Sequence, residues 1–337
     1  MKKISSIIYL SVFITLSLSI SAQEKSSYNI INRIHLDGDG GWDYLTMDDA
    51  AGLLYVSHGT VVQVVDVKTS KVIATIDDTK GVHGIAIASE FGKGYISCGK
   101  DSTVVVFDIK TYKTLNRVKV NGSNPDAILY DPFSKNVFAF NGRSKNVTVI
   151  DAKSDKVTGS IPGEGKPEFA ATDEKGKVYV NIEDKNKLCV INSQTLKVEN
   201  SWPVAPVDEP SGLAIDNVSH RLFTVSDSHL AVIDAKTGTV IASLTIGNRV
   251  DGVAFDTGLK RAYSANGEGT MTVVGEVNGT YKVIENVTTQ KGARTIAVDS
   301  KTHHIYLPTA EFREGESDKR RAMVPGTFMV LEIAPNP

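Results

Sequence analysis

Asp43, His83, Asp126, Glu168, Ser211, Asp251 and Arg294 recur at intervals of 40 to 43 residues, each directly ahead of a short apolar segment. Such residues meet only if the segments behind them stand around a common axis. Gathered there, four carboxylates against one guanidinium carry −3 with His83 neutral. Like charges at close range are unfavourable, and relief comes from water, from raised pKa values, from Arg294 or from a bound cation. His58 and His83 with Asp43, Asp126 or Asp251 suit Zn²⁺ or Mn²⁺, whereas an all-carboxylate subset with carbonyls and waters suits Ca²⁺. In a catalytic reading, Asp43, Asp126, Glu168 and Asp251 are ligands or a general base. His83 is then the acid/base, with Glu168 and Arg294 as further catalytic candidates, the arginine clamping an anionic substrate. Neighbouring loops add His58, Asn141, Arg143, Glu183, Asp227, Asn266 and Glu311 to the expected ligand-binding set. A wet channel lined by solvated polar groups is the competing account of the same residues.

The elements that position these groups follow from the repeat. Seven segments open the units: Tyr44–Asp48, Gly84–Ala88, Ala127–Asp131, Phe169–Asp173, Gly212–Asp216, Gly252–Asp256 and Thr295–Asp299. An aromatic follows each, as Tyr55, Tyr95, Phe138, Tyr179, Phe223, Tyr263 and Tyr306. A β-branched run ending in an acid or amide comes next, as in Val64–Asp66, Val106–Asp108, Val149–Asp151, Val190–Asn192 and Val232–Asp234. That Asp or Asn can accept hydrogen bonds from the backbone of the following turn, so these carboxylates are structural. Short alternating strands with frequent turn signals describe an all-β chain, and a period near 42 describes propeller blades. The predicted fold is a seven-bladed β-propeller, each blade four antiparallel strands with a small-residue strand innermost.

The two ends complete the count. Asn29–Leu36 reads as an outer strand without the inner three, and Thr327–Ile333 as a third strand without a fourth. Their pairing makes blade seven and removes exposed sheet edges. One domain over residues 28–335 is predicted. Ahead of it, Lys2 and Lys3, the apolar run Ile4–Ile20 and Ser21-Ala22-Gln23 have the zones of a secretory signal, residues 1–22, with cleavage after Ala22. The run is short for a bilayer span, so export to the periplasm or medium without a transmembrane anchor is the expectation. A net charge of −2 without Lys/Arg runs in the mature chain disfavours nucleic acid and anionic lipid as partners.

Cys98 and Cys189 fall in non-adjacent blades, against pairing. Asp37-Gly-Asp-Gly-Gly41 lacks the remaining ligand spacing of a calcium loop and reads as a turn. His303 and His304 fall in a hairpin on the opposite face and read as a solvated turn. The segment Ala310–Pro325 is long and charged, with Glu311, Arg313, Glu314, Glu316, Asp318, Lys319, Arg320 and Arg321; it is either a lid or a solvated loop. No Gly-x-Ser-x-Gly, Walker, His-Glu-x-x-His or Cys-x-x-Cys motif occurs.

Leu54-Tyr-Val-Ser57, Val178-Tyr-Val-Asn181, Val147-Thr-Val-Ile-Asp151 and Leu230-Ala-Val-Ile-Asp234 resemble the phrases of the YVTN-repeat, YncE-like family of exported propellers. Gly40-Gly-Trp-Asp-Tyr44, Gly81-Val-His-Gly84, Asn124-Pro-Asp-Ala127, Lys166-Pro-Glu-Phe169, Glu209-Pro-Ser-Gly212, Gly292-Ala-Arg-Thr295 and Pro308-Thr-Ala-Glu311 look like one YncE-like subgroup. The likeness runs over essentially the whole mature chain and implies the fold, while the family shares no single reaction. The leading expectation is a binding propeller whose polar funnel accepts a small molecule, metal ion or peptide. The alternatives are a metal-dependent hydrolase, lactonase-like enzyme or lyase using a divalent ion in that funnel, and a protein-interaction or surface-layer-type module.

Overall fold

The computed structural model describes residues 27–38, 40–313 and 323–336, so the expected signal at 1–22 and most of the charged run after Arg313 lie outside the described residues. Among the described residues no helix is long and apolar enough to cross a membrane. The described residues are all-β apart from two single-turn 3₁₀ segments, and their sheets form a β-propeller.

The Trp42–Asp48 repeat shows how sequence becomes sheet. Trp42–Asp48, Leu53–His58, Val61–Asp66 and Lys71–Ile76 pair antiparallel in chain order, with Thr46 opposite Tyr55 and Tyr55 opposite Val64. Burial peaks in the two middle strands: Leu54, Tyr55, Val56, Val62, Val64 and Val65 are inaccessible, whereas the innermost strand is half-buried and the fourth is mostly exposed, with Ile76 buried at its end. All seven repeat aromatics are buried, and several phenols are satisfied across repeats, Tyr95 donating to the Ala152 carbonyl and Tyr179 to that of Ala235. The acids closing the third strands do what their position implies. Asp66, Asp108 and Asp234 each accept from the two backbone N–H groups two and three residues on, and Asn192 does the same.

The repeats predict seven separate sheets, and the described strands form six. Five are four-stranded. The sixth has six strands because Arg221–Asp234 and Val240–Asp256 run on through the positions expected to be loops, with Asp227 opposite Val250 carrying the ladder from one repeat into the next. The innermost strands nevertheless touch in a closed cycle: Trp42–Asp48, Val82–Ala88, Pro125–Asp131, Pro167–Thr172, Leu213–Asp216, Val240–Asp256, Ala297–Val298 and back to Trp42–Asp48. The first strand, Tyr28–His35, pairs antiparallel with the last, Met329–Pro335, from Tyr28 opposite Pro335 to His35 opposite Met329.

His303 and His304 are not a solvated turn. His303 Nδ1 lies 2.8 Å from the buried Asp256 carboxylate, and His304 Nδ1 lies 2.8 Å from Glu332, itself 5% exposed. Each histidine pairs a carboxylate that the fold has already removed from water. Cys98 and Cys189 are buried and unbridged.

Candidate functional site

Each inner segment carries one polar residue at or just ahead of its start, Asp251 excepted, which lies within the long strand Val240–Asp256, and hydrogen bonds between neighbouring inner segments hold these positions in place. The Thr295 hydroxyl donates to the Asp43 carbonyl at 2.6 Å, the Thr46 hydroxyl to the Ile85 carbonyl at 2.7 Å, and the Ser211 hydroxyl to the Asp251 carbonyl at 3.0 Å. Gly252 N–H donates to the Arg294 carbonyl at 2.8 Å. The strands come so close that a Cβ on Gly212 would stand 2.7 Å from the Asp251 carbonyl oxygen.

The result is a cavity of about 250 Å³ lined by Asp43, Tyr44, Asp126, Lys166, Glu168, Phe169, Glu183, Ser211, Asp251 and Arg294. Five carboxylates face two cations in that lining, a formal excess of three negative charges. The charges fall into three groups. Arg294 pairs with Asp251 and also donates to the Trp42 carbonyl at 3.2 Å. Lys166 serves two acids, Glu168 at 2.7 Å and Glu183. His83 Nδ1 likewise serves two, 2.6 Å from Asp43 Oδ2 and 3.5 Å from Asp126 Oδ1. Two carboxylates therefore have no counter-charge of their own.

The acid–base behaviour reflects burial first and that shortage second. Burial, followed by the Asp126 charge, pushes the Glu168 carboxyl up to about 8, Lys166 opposing. Burial pushes Asp126 up to about 6 against the pull of His83, with Asp43 adding to the rise. Asp251 is raised chiefly by burial, despite Arg294. Burial works against protonated His83, but its hydrogen bond to Asp43 and the charges of Asp126, Asp43 and Glu168 outweigh it and raise its pKa.

Two aromatics complete the site. Tyr44 and Phe169 open the first and fourth units where the other repeats carry Gly, Ala or Thr, and their rings stack at 4.2 Å from non-adjacent repeats. The Tyr44 hydroxyl is buried and has no hydrogen-bond partner among the described residues. Burial and the charges of Asp126 and Asp43 raise its pKa well above that of an ordinary phenol.

Of the residues expected at the mouth, Asp43, Asp126, Glu168, Glu183, Ser211, Asp251 and Arg294 line the cavity, with His83 bonded to Asp43 behind it. The others do not line it. His58, Asn141 and Asn266 each end a second strand, are buried, and turn into their own sheet. His58 bonds Gln63 at 3.0 Å, Asn141 bonds Thr148 at 3.0 Å, and Asn266 bonds Thr270 and Thr272 at 2.9 Å. These are braces between the second and third strands of a hairpin. Asp227 is exposed and accepts from the Arg249 N–H, and Arg143 and Glu311 are exposed. Tyr44, Lys166 and Phe169 were not among the expected residues. The signal for the aromatics was present, since two large rings stand at positions otherwise given to small residues.

No family model matches the chain. A curated relative, the U3 small nucleolar RNA-associated protein 18 homolog of Arabidopsis thaliana, is 26% identical over 190 residues, 53% of this chain. The chain spans about a third of the length of that relative, 34%. Among solved structures, a chain of the mitotic checkpoint complex superposes with a TM-score of 0.73 at 11% identity, covering 96% of this chain and 98% of that one. Hydrazine synthase of Kuenenia stuttgartiensis superposes with a TM-score of 0.69 at 17% identity, covering 81% and 94%. At these identities the likeness establishes the β-propeller fold alone, a fold consistent with a ligand- or protein-binding module.

Proposed function

We propose that this protein is an exported, YncE-like β-propeller of seven repeat units that binds a small ligand bearing positive charge in its axial cavity. The observation that carries the reading is the arithmetic of the cavity: five carboxylates share Lys166, Arg294 and His83, and burial, with the neighbouring carboxylate charges adding to it, makes Glu168 and Asp126 hold their protons unusually tightly. A ligand that supplies positive charge relieves this repulsion without rearranging the inner strands. The seven-unit count is supported by the closed cycle of inner strands, two of whose units share the six-stranded sheet. The export expectation rests on the N-terminal residues quoted above.

The RNA association in the name of the Arabidopsis relative does not transfer to this cavity, because an excess of carboxylates repels phosphate. An enzymatic variant of the reading has one observation in its favour. Glu168 with a pKa of about 8 beside Asp126 at about 6 is the kind of separated carboxyl pair that general acid–base chemistry uses.

The test compares 1,4-diaminobutane with the isosteric diol by calorimetry at low ionic strength. The diamine is expected to bind and the diol not, with Glu168→Gln and Asp126→Asn each weakening the diamine about tenfold, the equivalent of about 1.4 kcal/mol. Equal binding of diamine and diol, or variants that bind as well as wild type, would overturn the proposal.

A further inference from the structure

We infer that the Asp43–His83–Asp126 corner of the cavity is a binding site for a first-row divalent metal ion of the Zn²⁺ or Mn²⁺ kind, completed by water held by Tyr44. This deepens the reading of the cavity as a cation-binding site and rests on it.

The three side chains come from the starts of the first, second and third inner strands and present Asp43 Oδ2, His83 Nδ1 and an Asp126 oxygen within 4.8 Å of one another. Ligand atoms at bonds of about 2.1 Å lie about 3 Å apart when mutually perpendicular. The His83–Asp43 and His83–Asp126 separations of 2.6 and 3.5 Å bracket that value. A small opening of the His83–Asp43 pair and a small closing of the His83–Asp126 pair suffice. The ion takes the place of the proton that Nδ1 donates to Asp43, and its two positive charges answer the shortage at Asp126.

The imidazole decides the class of metal. Ca²⁺ and Mg²⁺ prefer oxygen shells, whereas a nitrogen with two carboxylates suits a borderline ion. His83 is held for this role from behind: a Cβ on Gly99 would lie 2.8 Å from its Nε2, so the ring is backed by main chain and its Nδ1 edge is turned to the carboxylates.

Independent of the cluster, the Tyr44 hydroxyl lies buried in the cavity wall with no partner among the described residues. Leaving a buried hydroxyl unbonded costs about 1–3 kcal/mol. Three protein ligands leave open positions on such an ion, and water in one of them gives the phenol the partner that the described residues do not provide. The same group explains why a tyrosine, rather than a second phenylalanine, faces Phe169.

The experiment is calorimetric titration of the untagged, chelator-stripped protein with Zn²⁺ and, separately, with Ca²⁺. One Zn²⁺ per chain is expected, with Ca²⁺ at least about 100-fold weaker. His83→Ala and His83→Gln should each lose about 100-fold or more, beyond the 10- to 100-fold typical of outer-shell partners. Tyr44→Phe should lose about tenfold, and His35→Ala, on the exposed outer strand, nothing. Near-ultraviolet circular dichroism of the metal-free variants establishes that they are folded, and His83→Gln retains a donor for Asp43 should the alanine variant fail to fold. Zn²⁺ binding that survives both His83 changes, or Ca²⁺ binding as tight as Zn²⁺, overturns the inference. If Zn²⁺ fails to bind while the diamine still depends on Glu168, this inference falls and the charged-ligand reading stands. If neither binds, both fall.

Discussion

Glu168 and Asp126 give the site a pH signature that can be read without knowing the ligand. Both carboxyls hold protons in the fold at pH values where the unfolded chain has released them. A group whose folded pKa is raised contributes stability that is full below the unfolded value, near 4 for a carboxyl, and is lost as pH rises through the folded value. Raised His83 has the same sign, present below about 6.5 and lost above it. Carboxyls such as Asp108, held low by the Thr111 backbone N–H and hydroxyl, and Asp151, held low by Ser154, act in the acid range and leave this window alone. The unliganded protein should therefore lose Tm between pH 6 and pH 9, and Glu168→Gln should flatten the upper part of that slope. A Glu168→Gln profile parallel to wild type would show that Glu168 is ionised throughout and remove the main support for an uncompensated cavity.

At the scale of the strand, close approach of the inner strands makes the cavity small enough for its charges to interact. Gly212 permits it: an added methyl would meet the Asp251 carbonyl at 2.7 Å, a Val225 methyl at 2.8 Å and the Val253 nitrogen at 2.9 Å. Gly212→Ala should cost about 1–3 kcal/mol, the range for overpacking a filled interior, read as a lower urea midpoint with unchanged m-value. An unchanged midpoint would mean that these strands slide apart freely. The second strands show why spacing alone does not identify the residues at the mouth. His58, Asn141 and Asn266 end equivalent strands, at positions whose spacing alone matches loops near the axis. Side-chain direction on a strand is set by its pleat and register, and here that direction carries each into a bond with the third strand of its own hairpin.

For the whole molecule, the pairing of Tyr28–His35 with Met329–Pro335 joins the first and last strands of the described chain into one sheet. Without the first strand, the backbone of Met329–Pro335 becomes an unpaired edge beside a row of buried apolar residues, Val330, Leu331 and Ile333. Exposed edges of that kind recruit further chains. A chain starting at residue 37 should elute as soluble aggregate on gel filtration, whereas a chain starting at residue 27 should remain monodisperse. A monodisperse, cooperatively folding residue-37 form would show that this pairing is dispensable. The six-stranded sheet belongs to the same scale: whether two repeats share one ladder or keep separate ones depends on how the chain between Arg221 and Asp256 is drawn out around the ring, which no single repeat specifies.

The sequence by itself determined the β class, the unit length, the structural role of the turn-closing acids and the identity of most of the polar ring. All of these are local or periodic properties, set by which residue type recurs at which offset. Tertiary structure decided the rest. It joined two repeats into one sheet through the Asp227–Val250 pairing, turned His58, Asn141 and Asn266 away from the axis, and drew His303 and His304 onto carboxylates from other strands. It also set Lys166 between two acids and stacked Tyr44 on Phe169 across non-adjacent repeats. Those outcomes depend on which strands and repeats stand against each other, as with Tyr44 and Phe169, or on the side of a strand a residue faces, and both exist only once the strands stand in a ring.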